Sequence, residues 1–309
     1  MKGEKIKIVF LIIFFILLFL IDLYLPYYDK EIILDLRIPR SISIFFTGAF
    51  LSSAGYIVQM ITRNPLADPF IVGTSSGAML GIILSILLGV SSSSCGYFFI
   101  VISLAFISTY LSIMISRASK IPGNILLSGV AVNSFILSII VLGVIFSKEN
   151  SLSFLHISFG SFSYSDWRSI VYSLIAGVFS VLFVFIMMKD IKIIAFHEDK
   201  SLTLGINRNR VVFLSLLFSS ALSSLSVSLS GIIGFVGLMS PHITRLLFRS
   251  LCEEKRLLMS MIVGSSMLLI SSITSRLFFY PIEIPPGVFT SIAGSIFFIY
   301  LSVVKRAFK

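Results

Sequence analysis

The sequence predicts an all-α integral membrane protein, and three observations support that fold class. Of its 309 residues, 57% are hydrophobic and only 12% are charged, about half the charge of a soluble domain. The mean hydropathy is +1.05. The apolar runs are continuous and about 17–23 residues long, the length that a helix needs to cross a bilayer, whereas membrane β-strands alternate apolar and polar residues.

The apolar runs predict ten membrane-spanning helices. The first run follows three lysines, exceeds the apolar part of a signal peptide and lacks an Ala-x-Ala cleavage site, so it is predicted to be an uncleaved span. The seventh and eighth runs meet near Gly231, where three closely spaced glycines predict a turn and a helix start. The predicted spans cover residues 8–25, 41–61, 71–90, 97–116, 124–146, 168–188, 211–230, 232–248, 257–279 and 287–304.

Loop charges predict that both termini lie in the cytoplasm. Basic residues, from Arg63 to Arg256, dominate the connections on the side of the amino terminus. The opposite connections also carry acidic residues, among them Asp22, Asp35 and Glu283. Cytoplasmic loops are the ones enriched in Lys and Arg. The basic residues behind the net charge of +10 are spread through short loops and are therefore interpreted as topology signals, not as a nucleic-acid-binding surface.

Residues 36–81 hold two apolar runs around a polar turn that contains two prolines, Asn64 and Asp68. Irregular backbone cannot face lipid, so the pattern predicts a helical hairpin whose turn lies at the surface or among other helices. Small residues recur at four-residue spacing after the turn, at Gly73 and Gly77. Such a face favours close helix packing; a translocation path lined with small polar groups is the alternative.

Three kinds of motif are absent from the sequence, and their absence limits the possible functions. The sequence has no Gly-x-x-x-x-Gly-Lys-Ser/Thr phosphate loop, so the chain is not itself a P-loop ATPase. No constellation of His, Glu and Asp predicts catalysis or a metal site. No predicted span carries the central ionisable group that ion-coupled carriers use, which indicates an external energy source. We expect no enzyme activity and no bound cofactor. An ion-coupled carrier or exporter and a non-transporting membrane scaffold are the alternatives.

The predicted inner loop at residues 189–210 contains a short amphipathic helix that Gly205 ends. A short helix on the cytoplasmic face suits docking to a soluble partner. A solvated loop that only sets topology is an equal alternative from spacing alone.

Six motifs follow one another along nearly the whole chain. They are Leu36-Arg37-Ile38-Pro39-Arg40, Gln59 with Arg63-Asn64-Pro65-Leu66-Ala67-Asp68-Pro69, Gly73-Thr74-Ser75-Ser76-Gly77, Gly234-Phe235-Val236-Gly237-Leu238, Pro241-His242-x-x-Arg245 and Glu283-Ile284-Pro285-Pro286-Gly287-Val288. In sequence and order they resemble the FecCD/BtuC-type permeases, the membrane subunits of type II ABC importers for ferric siderophores, haem and cobalamin.

The resemblance implies a single transmembrane permease domain over residues 1–309, with a cytoplasmic coupling loop near 189–210. It implies ten spans per subunit and a pore formed by a homodimer, or by a heterodimer with a close relative. The other partners would be two cytoplasmic ATPase subunits, which bind ATP and magnesium, and an extracytoplasmic substrate-binding protein. The expected location is the cytoplasmic membrane of a bacterium or archaeon. A ferric siderophore is the leading substrate, with haem and cobalamin as alternatives.

The resemblance also assigns roles to individual residues. Two arginines one helical turn apart at a span entrance, and a third at the end of another span, would dock the binding protein: Arg37, Arg40 and Arg276. The cytoplasmic gate would be Asn64, Pro65 and Leu66. The ATPase-coupling segment would include Glu198, Asp199, Ser201, Leu204 and Gly205, although His197 stands where the family usually has Gly and Ser201 where Ala is common. The residues that line the pore or pack between helices would be Gly73, Ser75, Ser76 and Gly77.

Overall fold

The computed structural model describes residues 2–24, 33–118, 125–146, 158–162, 166–196, 204–278 and 283–307. These ranges contain ten α-helices, one for each predicted span, and no strand. A π-helical turn at Ile33–Arg37 precedes the second α-helix, and a 3₁₀ turn at Pro69–Val72 precedes the third. The α-helices are α1 (Lys2–Tyr24), α2 (Ile38–Thr62), α3 (Thr74–Leu87), α4 (Cys95–Ala118), α5 (Ile125–Phe146), α6 (Trp167–Phe196), α7 (Arg208–Ser230), α8 (Val236–Leu247), α9 (Glu253–Leu277) and α10 (Pro286–Ala307).

Contacts between helix ends define two faces of the bundle. Lys7 Nζ donates to the Leu247 carbonyl at 3.1 Å, which joins the start of α1 to the end of α8 on what we call the amino-terminal face. Arg276 pairs with Asp22, which joins the ends of α9 and α1 on what we call the arginine face. Seven described helices are long and apolar enough to cross a membrane, and α3 and α10 are shorter apolar helices. The predicted multi-pass membrane class is confirmed.

The central helix is α2. It packs against α6, α7, α8 and α9, and 83% of its most apolar window is buried, compared with 6% for α1. Small residues allow this packing: Gly48 lies against Gly264 and Ser265 of α9, and Gly55 lies against Gly237 of α8. Lipid tails are as apolar as the helix surfaces, so the hydrophobic effect does not drive helices together inside a membrane. Close approach at small residues favours association there through van der Waals contact.

Buried serine and threonine hydroxyls add polar links between helices. Within a helix, Ser53 Oγ donates to the carbonyl four residues earlier at 2.8 Å, the usual way in which a helical serine satisfies its hydroxyl. Between helices, Ser240 Oγ donates to Ser52 Oγ at 2.7 Å, and Thr109 Oγ1 donates to Ser220 Oγ at 2.9 Å. These bonds connect α2 with α8 and α4 with α7.

Two of the differences between the predicted spans and the observed helices matter for the fold. The predicted span at 232–248 is a helix of only 12 residues, α8, which is about 18 Å long against a hydrocarbon core of about 30 Å. Left-handed backbone at Phe235 (φ 68°) delays its start after α7 ends. The predicted span ending at residue 188 continues to Phe196, because Ile191 and Ile194 remain buried beyond the first charged residues. The first third of the predicted coupling loop is therefore helical.

Candidate functional site

An ion pair on the arginine face holds one of the predicted docking residues. Arg40, in the first turn of α2, donates from Nη1 to Glu283 Oε2 at 3.1 Å, and its Nη2 contacts Oε1. The Arg40 side chain is 13% exposed and that of Glu283 is 35% exposed, so water reaches the carboxylate more readily than the guanidinium. Arg40 Nε is buried and has no hydrogen-bond partner in the described part of the chain.

Arg276, the third predicted docking residue, is held by a buried carboxylate. Asp22 is fully buried in the last turn of α1 and contacts Arg276 Nη2. The same carboxylate accepts from Ser41 Oγ at 2.5 Å and from Ser272 Oγ at 3.2 Å. Breaking such a buried pair costs about 3–5 kcal/mol, so Asp22 fastens α1 to α2 and α9. The predicted loop position of Asp22 is wrong, and its place inside the first apolar run is the local signal for this burial.

The turn at residues 63–73 contains the predicted gate and is folded by its own side chains. Asn64 Oδ1 accepts the Leu66 N–H at 3.0 Å, and Asp68 Oδ1 accepts the Phe70 N–H at 2.8 Å, which caps the 3₁₀ turn. From the neighbouring helix α5, Asn133 Nδ2 donates to the Phe70 carbonyl at 2.6 Å. Asp68 lies outside the spanning helices, and burial raises its pKa to about 6.

This turn separates two cavities. Asn64 and Leu66 line a cavity of about 630 Å³, together with residues of α5, α8 and α10 that include Leu126, Phe235 and Phe298. On the other side, Pro65 lines a cavity of about 330 Å³ at the amino-terminal face, with Gln59, Met60, Arg63, Ala195, Phe196, Arg245, Glu253 and Arg256. A shift of the turn would therefore change both cavities at once.

The predicted pore-lining or packing residues after the turn lie at a helix interface. Gly77 approaches the Ala105 backbone and the Ser108 side chain of α4 so closely that a Cβ would clash there, and Gly73 (φ 101°) faces Ser108 and Ser112 in the same way. Ser75 is buried. Ser76 Oγ donates to Asn133 Oδ1 at 2.6 Å. The two glycines thus have the geometry of helix packing, while Ser76 faces α5.

Of the predicted coupling residues, Glu198, Asp199 and Ser201 lie outside the described residues. Leu204 and Gly205 form a turn, in which Gly205 has the left-handed φ of 67° expected for a helix stop. Asn207 Oδ1 then accepts the Arg210 N–H at 3.1 Å and caps α7.

A polar network that the sequence did not predict connects the end of α6 with the turn at residues 63–73 and with α9. Arg63, which precedes Asn64 and has φ 51°, donates from Nη2 to the Ile194 carbonyl. Lys192 of α6 pairs with Glu254. Tyr56 donates its hydroxyl to Glu253. No local pattern marks these residues, because their partners lie more than sixty positions away.

No metal centre is formed by the described ranges, since they bring no three His, Cys, Asp or Glu side chains together as a metal site would. The arrangement consists of a charged surface at one face and a buried polar turn between cavities towards the other.

Comparisons with known proteins agree on one kind of protein. A family model described as the FecCD transport family matches residues 7–304. A Helicobacter pylori protein named as a probable iron chelatin transport system permease protein is 34% identical over 278 residues, which cover 87% of this chain and 82% of that protein. The Fe(3+)-citrate import system permease protein YfmD of Bacillus subtilis is 31% identical over 281 residues, covering 91% of this chain and 84% of that one.

A solved structure of a metal-chelate type ABC transporter in an inward-facing conformation has a TM-score of 0.84 to this fold. Its sequence is 25% identical, and the match covers 96% of this chain and 99% of the other.

Proposed function

The chain belongs to the FecCD transport family, and from this we propose that it is the permease subunit of an ABC importer that moves an iron chelate into the cytoplasm. Relatives named for iron chelatin and Fe(3+)-citrate transport support this substrate class. ATP hydrolysis in two partner subunits drives the movement, and an extracytoplasmic binding protein delivers the chelate. Haem or cobalamin import by the same mechanism is the alternative.

The observation that supports the proposal is that the residues expected for docking and those expected for the gate lie at opposite ends of α2. Arg37 and Arg40 stand at its start, and the turn with Asn64 and Leu66 follows its end. A helix of 25 residues is about 37 Å long, enough to cross a bilayer core of about 30 Å. One helix thus connects the proposed docking surface, outside the cell, with the proposed gate, inside it. Both termini are then cytoplasmic.

In this mechanism the chelate enters a pore lined by α2, α3, α5 and α8 and completed by a second permease subunit. The turn with Asn64 and Leu66 closes the pore, because its side chains line the 630 Å³ cavity that α5 and α8 share. Movement of the ATPase subunits against the segment at 198–210 reaches the turn through α6, whose Ile194 carbonyl accepts from Arg63.

Reconstitution tests this function directly. The permease is incorporated into liposomes with its ATPase and the binding protein of the same genome, whose ligand is first identified by mass spectrometry. We expect uptake of that ligand only with ATP inside, and uncoupled ATP hydrolysis when residues 198–205 are deleted. Asn64→Ala with Leu66→Ala should let the ligand leak without ATP. Leu88→Ala, at an exposed position beyond α3, is the matched control.

A second candidate is a proton-coupled carrier, which the buried Asp68 favours because burial raises its pKa to about 6. Uptake by this chain alone, driven by a proton gradient without ATP and abolished by Asp68→Asn, would favour that carrier and contradict the importer. ATP-dependent uptake that Asp68→Asn leaves intact would exclude it.

A further inference from the structure

The three predicted docking arginines differ in what holds them. Arg37 donates to the neutral Leu23 carbonyl at 3.0 Å, so this hydrogen bond leaves its charge available to a partner. Arg40 has the partly exposed Glu283 as its partner, and Arg276 has the fully buried Asp22. Two of the three positive charges are therefore compensated within the chain.

The two ion pairs also differ in how easily they can be opened. Asp22 has no exposed surface and is held by Ser41, Ser272 and Arg276, so an incoming carboxylate could take its place only if α1 left the bundle. Glu283 keeps about a third of its side-chain surface exposed, so its carboxylate can turn into water while the backbone of its segment stays held to α9 by the bond from Ser275 Oγ to the Ile284 carbonyl. Because Glu283 is partly exposed, water competes for its charge, and opening this pair costs less than opening a fully buried one.

Exchange at Arg40 would keep the local charge balanced. A carboxylate of the binding protein would replace the Glu283 carboxylate on the same two guanidinium nitrogens, and Glu283 would move into water. The planar guanidinium favours such two-point contact with a carboxylate.

We propose that Glu283 is an internal competitor that occupies Arg40 until an acidic side chain of the binding protein displaces it, whereas Arg276 is fixed by Asp22 and does not exchange. This inference rests on the proposed importer function. Docking is then weaker than three free arginines would make it. The binding protein releases more readily after delivery, and docking depends mainly on Arg37 and Arg40.

The test measures docking of the binding protein from the same genome to the detergent-solubilised importer, permease together with ATPase, by biolayer interferometry. Glu283→Gln should lower the Kd by about fivefold, which corresponds to about 1 kcal/mol, and the gain should shrink at high salt as screening weakens the exposed pair. The matched control is Asp35→Asn, which removes one negative charge from an exposed residue of the preceding turn and should change the Kd by less than twofold.

The variant Asp22→Asn distinguishes the role of the Arg276–Asp22 pair from that of the Arg40–Glu283 pair. It should lower the melting temperature of the importer without tightening docking. An equal gain from Asp35→Asn would show that only the total charge matters, and a gain from Asp22→Asn would show that Arg276 exchanges; either result overturns the proposal. If Arg40→Gln weakens docking but Glu283→Gln leaves the Kd unchanged, the proposal that Glu283 competes for Arg40 is refuted while the importer function stands. If the wild type does not dock at all, both fail.

Discussion

The contact between Gly55 of α2 and Gly237 of α8 predicts that the substitution Gly55→Ala will destabilise the bundle. A Cβ on Gly55 would lie 2.8 Å from the Gly237 Cα and nearer still to its carbonyl, whereas non-bonded carbons rest about 3.5–4 Å apart. The obstacle is backbone on a second helix and cannot rotate away. The crossing must therefore open by about 1 Å or more.

The expected magnitude follows from two opposing contributions. Overpacking a close contact costs about 1–3 kcal/mol, and a clash with backbone belongs at the upper end of that range. Replacing Gly by Ala inside a helix gains about 1 kcal/mol. The net expectation is a loss of about 2 kcal/mol. Because α8 also lines the cavity of about 630 Å³ beside the turn with Asn64 and Leu66, transport by the assembled importer should fall as well.

The assay is unfolding in mixed detergent micelles with increasing sodium dodecyl sulfate, followed by circular dichroism. Gly143→Ala is the matched control, since it makes the same chemical change in α5 at a position with no neighbour within 4 Å of the new Cβ. We expect the midpoint to fall for Gly55→Ala and to stay level or rise for Gly143→Ala. Equal midpoints for Gly55→Ala and the wild type would refute the packing argument.

Two further predictions concern the turn between the cavities. Arg63→Gly keeps the left-handed backbone, which Gly adopts without strain, but removes the hydrogen bond to the Ile194 carbonyl. In the reconstituted importer we expect ATP hydrolysis to continue while the amount of substrate moved per ATP falls several-fold. An unchanged ratio would contradict the proposed coupling between α6 and the turn. Because burial raises the pKa of Asp68 from 3.8 to about 6, the folded state holds this proton more tightly than the unfolded state. The wild type should therefore lose stability, at most about 3 kcal/mol, as pH rises from about 4 to about 6. Asp68→Asn keeps the acceptor for the Phe70 N–H and should remove this dependence in melting curves, whereas the same pH slope in both proteins would show that another group is responsible.

The helical class and the number of helices could be predicted because both depend on local properties. Continuous apolar runs, and the Gly and Pro residues between them, are visible in the sequence, and the described residues contain ten α-helices where ten runs were predicted. The polar turn between α2 and α3 was likewise visible, since Asn64 and Asp68 make their hydrogen bonds to residues two positions away. The end of α6 was misplaced because hydropathy falls at its first charges, whereas burial of Ile191 and Ile194 continues.

The sequence by itself therefore determined the membrane class, the order of the helices and the polar turn, all of which follow from residues close together in the chain. Only the tertiary structure decided which charges neutralise one another. Arg40 meets Glu283 and Arg276 meets Asp22 across more than 240 positions, and whether each pair is open to water depends on how α1, α2, α9 and the start of α10 pack. The strength of an ion pair depends on that burial, so the difference between the partly exposed Arg40–Glu283 pair and the buried Arg276–Asp22 pair arises only when the helices are assembled.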